Sequence, residues 1–76
     1  MSTETTTAAK LEINLAEARE ALRQAFAAQD RAFERLESST DETVAINELA
    51  FRAFVKATNA AAARVAQIRG AIRLAA

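Results

Sequence analysis

The side chains that usually carry catalysis are scarce in this chain. It has no His, no Cys and no Tyr, so acid–base work would fall to Asp, Glu and Lys alone. Two pairs of carboxylates stand at i, i+3 spacing, Glu17 with Glu20 and Glu34 with Glu37, the spacing at which a helical bundle presents metal ligands. Such bundles draw a His from each ligand motif, and none is present. No segment resembles a phosphate loop, a nucleophile elbow or an HExxH helix. The carboxylates therefore read as solvated helix-face charges, the chain as a non-enzyme, and no cofactor or metal is expected.

Two further pairs have a spacing that could clamp phosphates. Arg19 with Arg23, and Arg31 with Arg35, stand four residues apart and would project together from a helix. Backbone binding of nucleic acid favours a basic face free of acids. Here Glu20, Asp30 and Glu34 lie among the arginines, and the two pairs point to different sides. A regulatory nucleic-acid-binding hairpin is the first alternative, and ordinary surface pairing explains the arginines more simply. The C-terminal run AAAARVAQIRGAIRLAA suggests a second alternative, a basic amphipathic helix on a membrane surface. It lacks Trp and carries only three charges, and its apolar face continues a pattern set far upstream.

The elements that would carry these groups are helices. Of the 39 hydrophobic residues 21 are Ala and only 17 are Val, Ile, Leu or Phe, there is no Pro, and the one Gly is Gly70. A chain of 76 residues is in the size range where one core is marginal. Without Cys or His, disulfide and Cys/His metal supports are excluded, which leaves oligomerisation. No stretch is apolar for the ~18 residues of a membrane span. MSTETTTAAK lacks the basic and apolar regions of a signal peptide, so a cytoplasmic location is expected.

Residues 1–7 lack periodicity and read as a disordered tail. From there a heptad pattern places Leu15, Leu22, Gln29 and Leu36 at position a and Ala18, Ala25 and Ala32 at d, with Phe26 and Phe33 beside them. A second pattern has Val44, Phe51, Thr58, Val65 and Ile72 every seven residues, with Phe54, Ala61 and Ile68 three later. Between them lies ESSTDET. An unbroken helix would carry position a from Leu36 to Thr43, whereas the second pattern begins at Val44, and a packed seam tolerates that slip poorly. Ser39 to Glu42 also fits a capping box. The expectation is an all-α antiparallel helical hairpin over residues 8–76, with helices at 9–37 and 41–74 joined by a turn at 38–40.

Folding the two patterns about that turn sets Leu36 against Val44, Gln29 against Phe51, Phe26 against Phe54 and Leu15 against Val65, with Gln29 as the polar register position. Phe51 and Phe54 are the expected energetic centre. The acids all lie at or before Glu48, giving residues 1–48 five bases against ten acids and residues 49–76 five bases and no acid. A hairpin would return Arg64, Arg69 and Arg73 alongside Glu12, Glu17 and Glu20. One neighbour cannot cover the whole apolar arc of the second helix, because Ile46, Leu49, Ala53, Ala57 and Ala60 face away from the seam. The expected partner is a second copy, forming a homodimeric four-helix bundle. The function so implied is protein–protein interaction: an assembly, adaptor or inhibitory factor.

Overall fold

The protein was analysed as a computed structural model that describes residues 3–75, with side chains from residue 7 onward. Two helices, α1 (Thr3–Glu37) and α2 (Val44–Ala75), fold back on each other as an antiparallel hairpin. The hairpin measures 61 × 15 × 12 Å, and its radius of gyration is 17.4 Å. A compact chain of this length would have a radius of only ~11 Å, so this is a rod two helices wide.

Expected boundaries and observed ones differ at the start of each helix, while α1 ends at Glu37. The stretch read as a tail is helical from Thr3; residues 1 and 2 lie outside the described residues. No Gly or Pro interrupts Thr3 to Lys10, and Thr costs a helix only a fraction of a kcal/mol, so helix propagates back from the periodic region. The turn takes residues 38–43 rather than 38–40, and α2 opens at Val44.

The turn is made without a left-handed residue, since no described residue has positive φ. Serines supply what a C-terminal Gly would. The Ser38 hydroxyl donates to the carbonyl of Glu34 (3.1 Å), and the Ser39 hydroxyl donates to that of Arg35 (2.8 Å). The Ser38 N–H shares the Glu34 carbonyl with its own hydroxyl, and the Ser39 N–H donates to the carbonyl of Leu36, a third of those that a helix end leaves unpaired. Thr40 and Thr43, rather than Ser39 and Glu42, close the turn into α2. The Thr40 N–H donates to Thr43 Oγ1 (3.0 Å), while the Thr43 and Val44 N–H groups donate back to the Thr40 carbonyl. Asp41 and Glu42 lie in the turn ahead of α2, which opens at Val44.

Asn47 ties the helices together across this turn. Its Nδ2 donates to Ser39 Oγ (2.7 Å) and to the Arg35 carbonyl (3.4 Å). Gln29, the expected register residue, is half-buried and its side chain makes no hydrogen bond; the polar tie is made by Asn47 at the turn.

Along the seam the heptad positions of α1 are the covered ones. Ala18 and Ala32 are each 3% exposed, and Leu11, Leu15, Leu22, Ala25, Gln29 and Leu36 are half-buried. Opposite them Val65 is buried, Phe51, Ala61, Ile68 and Ile72 are half-buried, and Thr58 is buried with its hydroxyl donating to the Phe54 carbonyl (2.9 Å). Four residues assigned to the seam lie instead at its edges: Phe26 (49% exposed), Phe33 (46%), Val44 (42%) and Phe54 (36%). The alanines at position d draw the helices together over methyl groups, and rings that flank this contact are left partly in solvent. Phe51 meets Phe33, with ring centroids 5.5 Å apart and planes tilted by 50°. That contact is one helical turn nearer the loop than the expected Gln29, as the later start of α2 requires.

The charges of opposite sign on the two helices do not pair across the seam. Among the described residues the ion pairs are local, Arg23 with Glu20 and Arg52 with Glu48.

Two changes test this description. Asn47→Ala removes the cross-turn tie and leaves Ser39 Oγ without its donor, a loss of ~1 kcal/mol that lowers Tm by about 4–8 °C. Gly70 lies within α2, and a Cβ there would meet nothing within 4 Å. Gly70→Ala should therefore raise stability by ~0.5–1 kcal/mol. Circular dichroism melts at matched concentration read both.

Candidate functional site

The candidate site is the outer face of α2. Because Thr40 and Thr43 start the helix where they do, Ile46 and Leu49 fall within its first two turns, and Ala53, Ala57 and Ala60 follow on the same side. All five are exposed, Ile46 at 70% and Leu49 at 67%. A single exposed Leu is ordinary on a protein surface; a line of apolar residues over four turns is not. The face is flanked by Arg52, whose guanidinium donates to Glu48 (2.7 Å), and by Lys56.

A second set of large side chains is uncovered at the edges of the hairpin. Phe26 and Phe33 belong to it, as do Val44 and Phe54, and at the open end Ile13 (59%) and Leu74 (90%). Ile13 and Leu74 belong to neither pattern: Ile13 lies off the heptad seam of α1, and Leu74 follows Ile72 so closely that it falls outside the seam of α2. Helical spacing alone would have found them.

The arginines read as a possible phosphate clamp, Arg19, Arg23, Arg31 and Arg35, are all exposed. Arg23 is already engaged: its Nε donates to Glu20 Oε2 (2.9 Å), and the Gln24 amide donates to the other carboxylate oxygen (3.4 Å). The hydrogen bond from Arg23, then that from Gln24, then the positive charge of Arg23 hold the Glu20 carboxyl below its ordinary value. Glu17, Glu34 and Glu37 are exposed on α1. Among the described residues no group of three or more Asp or Glu is placed to hold a metal ion, and no helix is long and apolar enough to cross a membrane.

Comparison with protein-family models, curated proteins and solved structures finds no match to this chain. Its chemistry must be argued from its own surface.

The Glu20 cluster yields a pH test. A carboxyl whose folded pKa is lowered stabilises the folded form above the unfolded pKa, and that contribution is lost as pH falls through the folded value. The increment is small because both partners are largely exposed. An NMR titration should place Glu20 below the usual glutamate value of ~4.3 and move it back toward that value in Arg23→Ala.

Proposed function

We propose that this chain is a small non-enzymatic interaction protein, an assembly, adaptor or inhibitory factor, that works as a homodimer of helical hairpins packed into a four-helix bundle. The observation that carries this reading is the thinness of the core. Among the residues whose side chains are described, the buried apolar ones are Ala18, Ala32 and Val65 and no large side chain is fully buried, while eight large hydrophobic residues are exposed.

Area supports it. The hairpin has 5904 Å² of accessible surface, whereas a compact folded chain of its 8.2 kDa mass would expose only ~4,500 Å². The surplus is larger than the ~800 Å² that each partner contributes to a stable interface. A second copy supplies the missing cover, because helical hairpins of equal length pack into a four-helix bundle with one shared core. Dimerisation is thus the step by which the chain acquires a full interior.

Sedimentation equilibrium tests the reading. The parent should run at twice the chain mass, with dissociation appearing on dilution. Ile46→Lys or Leu49→Lys should weaken association at least tenfold, since each buries a charge in an apolar contact while leaving the hairpin's own seam untouched. A folded parent whose mass stays monomeric at every concentration would overturn the homodimer. Fluorescence anisotropy with duplex RNA and DNA addresses the arginines: weak binding is expected, and micromolar affinity falling steeply with salt would transfer the function to nucleic acid.

A further inference from the structure

The outer line of α2 is complementary to itself. Extended by one step in each direction it reads Glu42, Ile46, Leu49, Ala53, Ala57, Ala60 and Arg64, with spacings of four, three, four, four, three and four residues. At 3.6 residues per turn this is one stripe along the helix and the turn before it. The order of spacings is the same from either end. All seven residues are exposed in the hairpin, and neither Glu42 nor Arg64 enters an ion pair or side-chain hydrogen bond there.

We infer that the second copy packs with its α2 antiparallel to this one, across a two-fold axis passing at Ala53, so that each Glu42 meets the partner's Arg64. The inference rests on the homodimer proposed above and supplies its geometry. Rotation about Ala53 lays Ile46 over the partner's Ala60 and Leu49 over the partner's Ala57. On either side of the Ala53 contact a large side chain is set against a methyl group, which lets the axes approach to ~8 Å without a void. The terminal steps set an acid against a base. A parallel arrangement would stack Ile46 on Ile46 and Leu49 on Leu49, leave alanine facing alanine beyond them, and oppose Glu42 to Glu42 and Arg64 to Arg64. It fails in shape and in charge together.

The axis falls nearer the loop than the middle of α2, which runs from Val44 to Ala75. The two hairpins accordingly overlap over their loop-proximal halves. Exposed large hydrophobics are concentrated in that half: Phe26, Phe33, Val44, Ile46, Leu49 and Phe54 lie there, against Ile13 and Leu74 at the open end. The four-helix section occupies this overlap, and two-helix arms extend from both ends. The dimer so built spans ~80 Å at 1.5 Å per residue, longer than the 61 Å of one hairpin.

Disulfide trapping in this cysteine-free chain tests the arrangement. Ala53→Cys should oxidise readily to a covalent dimer, because the axis places the two positions within disulfide reach. Ile46→Cys alone should stay unlinked, whereas Ile46→Cys and Ala60→Cys chains mixed together should link to each other. Arg64→Glu should weaken association roughly fivefold at low salt, and the double variant Glu42→Arg/Arg64→Glu should restore it. Small-angle scattering should give the longer dimension. If Ile46→Cys links to itself, the dimer is parallel and the inference falls while the homodimer stands. A dimer that none of these cysteines traps places the interface elsewhere and has the same consequence. A monomeric parent removes both.

Discussion

Close approach over alanine governs this molecule. With Ala18, Ala25 and Ala32 at three successive d positions of α1, the two helices pack over methyl groups along a long contact, and Ala18 and Ala32 become its most buried residues. The rings of Phe26, Phe33 and Phe54 flank this contact and are left partly in solvent. Each methyl group removed from water contributes little, whereas a buried Leu or Phe contributes ~2–3 kcal/mol. An alanine seam therefore sets geometry well and stability poorly. What the helices gain in proximity they forgo in buried area, and the large side chains are displaced to surfaces where only another molecule can cover them.

Much of the architecture was legible in the residues. Helix-forming composition, two heptad patterns and their one-residue slip at Val44 were enough for a hairpin bent near Ser39, and the a and d positions of α1 are the covered positions of the structure. The edge positions were harder to read. A heptad reading says which residues lie toward a partner helix but carries no distance between axes, so Phe26 and Phe33 at position e were counted as core. The distance is set by the alanines on both sides of the seam, a property of the pair of helices and not of either pattern. The turn runs three residues longer than the residues suggest. Ser39 and Thr40 are both able to cap, and in the structure the Ser39 hydroxyl is engaged by Asn47 and by the Arg35 carbonyl.

The outer face of α2 was legible as a stripe because it depends only on helical spacing. Its exposure could come only from the hairpin, since a third element could have covered Ile46 and Leu49. Electrostatics proved the least transferable part. The acidic and basic halves suggested cross-helix pairing, yet Glu20 found Arg23 three residues away and Glu48 found Arg52 four away. Local partners on the same helix lose less side-chain freedom in meeting than distant ones do.

The position of the Asn47 tie also sets how the hairpin opens. The described hydrogen bonds that cross between the helices, from Asn47 to Ser39 and to Arg35, lie beside the turn, while the far end closes on Leu11, Ile68 and Ile72 with Leu74 left in water. The loop they close is short, so its entropy cost is low, and each seam contact farther out closes only a little more chain than the one before it. Unfastening accordingly starts at the open end and runs toward the bend, as in a zipper with its slider held at residue 47. Amide exchange along both helices should follow that order, slowest where the strands of the zipper meet and fastest at the tips.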